Sequence, residues 1–275
     1  MSVPRAAAAM KTLEAIIFDV DGTLAETERD GHRVAFNRAF EEFGLRWLWP
    51  VGLYGQLLRV AGGKERIRHY IHRYQPRFEA EHSPAEIEQL VVALHQAKAK
   101  HFQALVESNV IPLRPGVRRL IEAARRQGVR LAIATTSAKD SVMPLLERLL
   151  GPESPTWFEM IAAGDMVPAK KPAPDIYNLV VSAMDLSPAT CLVIEDSQQG
   201  LEAAVAAGLT TVVTVNDYTR DHALTSARLV INHLGEPNLP FELLHGSAAQ
   251  AYYFSLDLAQ TLLTTPPPDK ATPPP

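Results

Sequence analysis

Several carboxylates in this chain stand where they could act together. An apolar run from Leu13 to Phe18 stops on Asp19, and Asp21, Gly22 and Thr23 follow. The run Thr190 to Ile194 delivers Glu195 and Asp196, and the run Val129 to Ala134 leads into Thr135, Thr136 and Ser137. Between them, Lys170 and Lys171 precede Pro172. Carboxylates gathered in one crevice would repel one another by several kcal/mol at low effective dielectric unless a cation lies among them. Oxygen ligands, with no histidine or cysteine at matching positions, favour Mg2+ over zinc. A lysine adds a point charge, and Thr135 and Thr136 with the amides after them add hydrogen-bond donors, so that the set makes a phosphate cradle. Singly, each residue has a plainer reading: turn aspartates, a strand-end hydroxyl, a solvated lysine. Of the two lysines, Lys171 is taken for the cradle, since neighbours in an extended segment before proline face opposite ways.

Those residues need elements to hold them. After Pro115, β-branched strands alternate with amphipathic helices, which implies a parallel sheet with strands Val129 to Ala134, Met160 to Ala163, Thr190 to Ile194, Thr210 to Val215 and Arg228 to Ile231. In such a sheet the loops at the carboxyl edge surround a crevice, and the residues above all stand at strand ends. The strand near residue 15 lacks sheet partners nearby in sequence. Between it and Pro112 the signals are helical: Phe36, Ala39, Phe40 and Phe43 ahead of Gly44, then Ser83 and Pro84 opening a long helix through Ile87, Leu90, Val91 and Leu94. The expected fold class is therefore α/β, a doubly wound parallel sheet with a Rossmann-like core and an inserted α-helical cap domain. The core is expected over 11–29 and 113–235, the cap over 30–112, and a partly disordered C-terminal tail over 236–275. Tyr252 to Leu263 is apolar enough for one helix, and the end of the chain is half proline.

Composition narrows the partners. At 275 residues and 47% hydrophobic content the chain can bury a full core, and its formal charge of -4 gives no general basic field. Neither nucleic acid nor a membrane is expected as a partner, and no obligate protein partner is implied. The lone cysteine, Cys191, cannot form an internal disulfide and reads as a core thiol. Residues 1–10 read as a frayed leader rather than a secretory signal, and no window reaches the roughly 18 apolar residues of a membrane span, so a cytoplasmic protein is expected.

The order of these parts resembles the haloacid dehalogenase superfamily of phosphatases. The likeness rests on Asp19-Val20-Asp21-Gly22-Thr23 after an apolar strand, Thr135 at a strand end, Lys171 in Lys-Pro-Ala-Pro-Asp, and Glu195-Asp196-Ser197 after another strand. It implies that Asp19 is the nucleophile, forming a carboxyl phosphate, and that Asp21 is the general acid and base. It further implies that Thr135 and Lys171 bind the transferring phosphoryl group. Mg2+ would be held by Asp19 and Asp196, by the backbone carbonyl of Asp21, and by Glu195 directly or through water.

Substrate choice on such a core is expected from the cap. Gly62-Gly63-Lys64-Glu65-Arg66 would let backbone and cations approach an anion at a helix start; the competing reading is a loop entering a basic helix face with Arg68 and His69. Together with Glu26-Thr27-Glu28, that segment resembles the CbbY phosphatases, which act on xylulose 1,5-bisphosphate. The resemblance implies a small phosphorylated sugar as partner, with Glu28 on its hydroxyls and Lys64 and Arg66 on a second phosphate. It also implies a biological role in removing a misfire product that inhibits the carbon-fixing enzyme Rubisco. His32 receives no role. Trp47, Trp49 and Tyr54 are expected to pack the cap interior rather than line a cleft. A sugar phosphomutase of the β-phosphoglucomutase type shares every core motif, and a non-catalytic phosphosugar sensor is the alternative from another class.

Overall fold

The computed structural model describes residues 12–60, 62–108 and 110–265. The leader and all but the start of the proline-rich end lie outside the described residues. The chain divides into two compact units, one running to Ala25 and resuming at Leu113, the other Glu26–Pro112.

The first unit is built on a seven-stranded sheet of order β3-β2-β1-β4-β5-β6-β7. Its strands are β1 (Ala15–Phe18), β2 (Arg130–Ala134), β3 (Met160–Ala162), β4 (Cys191–Glu195), β5 (Thr210–Thr214), β6 (Leu229–Ile231) and β7 (Leu243–Gly246). All neighbours up to β6 are parallel, as the strand and helix alternation predicts, and β7 is antiparallel. The central position of β1 explains its composition: every residue is buried, on both faces of the sheet. Register does the rest. Phe18 stands opposite Ile133 of β2 and Ile194 of β4. The next residues of the three strands, Asp19, Ala134 and Glu195, therefore lie side by side at the carboxyl edge. The Asp19 amide continues the ladder by donating to Ile194 O at 3.0 Å, and the Thr135 amide donates to Ala162 O at 3.0 Å.

The Glu26–Pro112 unit is helical. It opens with a π-turn, Glu28–His32, that runs into α1 (Arg33–Glu42), and continues through α2 (Val51–Leu57), α3 (Gly63–Tyr74), α4 (Pro76–Glu81) and α5 (Pro84–Glu107). Gly44 closes the first helix at φ +67°, a conformation that costs glycine nothing. Ser83 accepts from the Glu86 amide while Glu86 accepts from the Ser83 amide, the reciprocal cap that starts α5. Trp49 and Tyr54 are fully buried and Trp47 nearly so. Trp49 packs against Phe36 (ring centroids 4.7 Å apart), Phe40 (4.9 Å) and Tyr70 (5.3 Å), so these rings are the unit's interior.

Around the sheet lie α6 (Val117–Gln127), α7 (Lys139–Leu150), α8 (Asp175–Ala183), α9 (Gln198–Ala206) and α10 (Leu256–Thr264). Ala15, Ile17, Ala132, Cys191 and Val193 point to one face and pack with Ile176, Tyr177 and Val180 of α8 and Ala203 and Ala204 of α9. Residues beyond Gly235, where the apolar periodicity fades, still belong to this unit. β7 adds the antiparallel edge, and Gln260 of α10 accepts the Leu13 amide at 2.7 Å, just ahead of β1. That edge strand is hard to see in sequence because Leu243, Leu244 and His245 are exposed and show no alternation. Among the described residues, no helix is long and apolar enough to cross a membrane.

Candidate active site

Four of the residues singled out in the sequence converge at the carboxyl edge. Lys171 Nζ donates to Asp19 Oδ1 at 2.8 Å, to Ala134 O at 2.8 Å and to Glu195 Oε1 at 2.5 Å. Asp19, Glu195 and Asp196 each offer a carboxylate oxygen within 4.8 Å of the others, and all three are buried. Lys171 is buried, whereas Lys170 is exposed. The segment is a turn rather than extended, with the Ala173 amide donating to Lys170 O at 3.0 Å, and only the second lysine enters the cluster.

Asp21 belongs to a different contact. Its carboxylate accepts from Ser137 Oγ at 2.5 Å and is not one of the three clustered carboxylates. Two aspartates a single residue apart are thus turned to separate surroundings, one toward the lysine and the other toward the loop after β2. Thr135 is buried, and its hydroxyl accepts from the Ser137 amide at 3.1 Å, which folds that loop back over the strand end. Thr136 is exposed; its backbone is so close to Gly164 that a Cβ there would lie 2.2 Å from Thr136 O. Gly22, at φ +81°, makes a similar close approach, since a Cβ would stand 2.4 Å from Asp196 Oδ2.

The charges explain one another. Burial pushes the Asp19 carboxyl up to about 7, with the neighbouring Glu195 and Asp21 charges adding to the rise and Lys171 opposing it. Burial, then the charges of Asp19 and Glu195, holds Asp196 well above the usual carboxylate range, against the pull of Arg114 and a hydrogen bond from Asn216. For Lys171, burial works against the ammonium, but Asp19 and Glu195 outweigh it and keep it protonated well above its ordinary range. One buried ammonium among three buried carboxylates leaves an excess of negative charge, which a hard divalent cation would answer with oxygen ligands. The residues present fit such an ion.

Several supporting residues carry no motif. Tyr177 Oη donates to Glu195 Oε1 at 2.7 Å. Asn216, one position after the buried Val215, donates to Asp196 Oδ2 at 2.6 Å. The buried guanidinium of Arg114 donates to Gly22 O, to Thr214 O at 2.7 Å, and to Val215 O and Asn232 O at 2.6 Å each. It ties the Asp21–Gly22 turn to the ends of β5 and β6. An isolated arginine ahead of a proline gives no periodic signal; the only clue was its place next to the re-entry of the chain into the sheet unit.

The candidate cap residues lie on the helical unit. Glu28 Oε2 accepts from Tyr54 Oη at 2.6 Å, and Arg66 Nη1 reaches that same phenol oxygen at 3.3 Å. Arg66 also donates to Leu57 O at 3.1 Å and Val60 O at 3.3 Å, so much of its guanidinium holds the end of α2. Gly62, at φ +91°, precedes α3; Gly63 packs against His95, and a Cβ at Gly63 would meet that ring at 2.8 Å. Lys64 is half-buried in the first turn of α3. Burial and then the charges of Lys98 and Lys64 lower the basicity of His95. His32, without a role in sequence, meets Lys98 Nζ at 2.9 Å and stacks on Phe102 with centroids 4.0 Å apart.

A doubly wound sheet with a lysine, buried carboxylates and a hydroxyl at its carboxyl edge defines a class, the α/β phosphatases. The chain belongs to the haloacid dehalogenase-like hydrolase family, whose model matches residues 13–208. It is similar to a CBBY-like protein of Arabidopsis thaliana, 42% identical over 84% of this chain and 73% of that one. The CbbY protein of Cupriavidus necator is 43% identical over 83% of this chain and 88% of its own. Among solved structures, a CbbY variant from Rhodobacter sphaeroides in complex with xylulose-(1,5)bisphosphate is 40% identical, with a TM-score of 0.69 over 81% of this chain and 95% of that one.

Proposed function

We propose that the chain is a Mg2+-dependent sugar-phosphate phosphatase that works through an aspartyl-phosphate on Asp19, with xylulose 1,5-bisphosphate as substrate. The observation that carries this reading is the buried Lys171 Nζ, 2.8 Å from the Asp19 carboxylate, which itself clusters with Glu195 and Asp196. A phosphoryl group approaching Asp19 would find a cation at hand for its charged oxygens. The sugar bisphosphate is drawn from the relative from Rhodobacter sphaeroides.

In the proposed reaction an Asp19 oxygen attacks phosphorus in line and the ester oxygen leaves, forming a carboxyl phosphate. Lys171 and the Thr135 hydroxyl, with the amides after it and Thr136, answer the charge on the equatorial oxygens. Asp21 gives a proton to the departing sugar oxygen, then takes one from the water that opens the carboxyl phosphate, returning Asp19 and releasing inorganic phosphate. The contact with Ser137 keeps the Asp21 carboxyl apart from the lysine cluster, which suits a group that must carry a proton while Asp19 stays ionised. Asp19, Asp196 and the Asp21 carbonyl, with Glu195 directly or through water, would hold Mg2+, which would supply positive charge for the transferring group. On the cap, Glu28 binds sugar hydroxyls, and Lys64 with Arg66 at the Gly62-Gly63 turn binds the second phosphate. Clearing a Rubisco misfire product is the role that would follow.

Phosphate release from xylulose 1,5-bisphosphate and a panel of other sugar phosphates tests the proposal. Turnover with Mg2+, highest on the bisphosphate, is expected, and Asp19→Asn should abolish it while the protein stays folded. Binding without release would make the chain a sensor, and return of the phosphate to sugar would make it a mutase. Appreciable activity in Asp19→Asn would reject the covalent route.

A further inference from the structure

Glu195 carries no exposed surface, and both of its oxygens are occupied. Oε2 accepts from the Asp196 amide at 3.1 Å, the Ser197 amide at 3.4 Å and Ser197 Oγ at 3.3 Å. Oε1 accepts from Lys171 Nζ at 2.5 Å and from Tyr177 Oη at 2.7 Å. Gly200 lies so close to the carboxyl group that a Cβ would stand 1.9 Å from its carbon, so the group occupies space that only a glycine leaves open. An ammonium has three protons, and those of Lys171 face Asp19, Ala134 O and Glu195. Two fixed carboxylates thus compete for one cation. Which of them it serves depends on how far other donors already satisfy the rival, Glu195.

Tyr177 is the adjustable part of that balance. It is fully buried in α8, its hydroxyl shares Glu195 Oε1 with the lysine, and its ring centroid lies 5.0 Å from Lys171 Nζ. We propose that Tyr177 is a positioning residue for phosphoryl transfer, its hydroxyl answering part of the Glu195 charge so that Lys171 stays on Asp19 and on the phosphoryl oxygens that arrive there. The inference rests on the roles proposed above for Asp19 and Lys171. Without the hydroxyl, Oε1 keeps the ammonium as its main donor, and the lysine is drawn away from Asp19. The backbone donors on Oε2 are unaffected, which makes the expected loss a matter of anion affinity rather than of fold.

Tyr177→Phe keeps the ring and removes one hydroxyl. In the full chain with Mg2+, the dissociation constant of inorganic phosphate, read by calorimetry, should rise on the order of tenfold, the worth of one hydrogen bond to a buried charge. The value of kcat/KM should fall by a similar factor. An irreversibly unfolded fraction would lower the number of sites in the titration and leave the dissociation constant alone, and a urea unfolding curve showing the variant fully folded under the assay conditions rules out a reversible one. The loss should also shrink to under about twofold when Tyr177→Phe is made on a Glu195→Gln background, because the competing charge is gone. A wild-type phosphate affinity in Tyr177→Phe, or an undiminished loss on the Glu195→Gln background, overturns the inference. Should the wild-type chain bind phosphate but release none from any sugar phosphate, and Tyr177→Phe weaken that binding, the catalytic reading falls and the positioning of Lys171 stands.

Discussion

Stripping divalent cations should make stability fall as pH rises, and restoring Mg2+ should remove that fall. Burial pushes Asp19 up to about 7 in the folded chain, against an ordinary value of 3.8. A group whose folded value lies above its unfolded one binds more protons when folded, so its contribution is complete below about pH 4 and is lost as pH climbs through 7. At about 1.4 kcal/mol for each pH unit between those two values, the swing reaches up to about 4 kcal/mol. Asp196 is raised by the same causes and shifts in the same sense. A bound Mg2+ would hold both carboxylates ionised at every pH above their ordinary range, so its stabilising effect should be small at pH 5 and large at pH 8. Urea unfolding monitored from pH 5 to 8, in chelator and in Mg2+, reads the difference directly. Titrating groups away from this cluster contribute equally to both series. Parallel stability curves would refute the idea that these carboxylates share a cation.

Lys171→Met should cost about 3 kcal/mol in chelator, because it leaves the buried Asp19 and Glu195 without the ammonium that bridges them, and phosphate release should be lost with it. Part of that stability should return with Mg2+ in a thermal melt, and a melting temperature unchanged by the substitution would count against the buried pair. Gly200→Ala would favour a helix elsewhere, but here its Cβ would strike the Glu195 carboxyl group, so a loss of about 1–3 kcal/mol and lower activity are expected in unfolding and phosphate-release assays. Burial raises the Cys191 thiol to about 11, so a thiol reagent at pH 8 should react only when urea opens the fold; prompt labelling of native protein would contradict its place in the sheet.

How much of this was legible in the sequence depends on the range over which each signal acts. Strands β1, β2, β4 and β5 announce themselves as short β-branched or apolar runs because both sheet faces are covered. The residue that ends such a run must stand at the sheet edge, so Asp19, Thr135 and Glu195 could be named from local pattern alone. Lys171 was reachable through its place in Lys-Pro-Ala-Pro-Asp, while the extended segment expected ahead of the proline is a turn. Tyr177, Arg114 and Asn216 were not. Tyr177 occupies a helical apolar position like Ile176 and Val180, and only its hydroxyl, aimed across 18 residues at Glu195, separates it from a core residue. Arg114 acts over sequence separations of 92 to 118, and no local periodicity carries such a distance. The helical unit shows a second limit of local pattern. Arg66 was legible as a cation near glycines, but its guanidinium also braces Leu57 and Val60, work that composition cannot reveal.

The cluster also explains why a fold would tolerate so unfavourable an arrangement. Three buried carboxylates, two of them sharing one lysine, are worse for stability than an apolar filling of the same volume, since each desolvated charge costs several kcal/mol before any partner is counted. The surrounding structure confines that cost. Glu195 is satisfied from both sides by backbone amides, Ser197, Tyr177 and Lys171, Asp196 by Asn216, and the Gly22 turn by Arg114. Asp19 and Asp196 are less well provided for, with Lys171 donating to the one and Asn216 to the other, and both hold a proton more tightly than an ordinary carboxylate, Asp19 up to about 7. A scaffold optimised for stability alone would have satisfied Asp19 as thoroughly as Glu195. Leaving the carboxylate at the end of the central strand short of donors, among neighbours that are locked in place, is what a nucleophile awaiting a cation and a phosphoryl group requires.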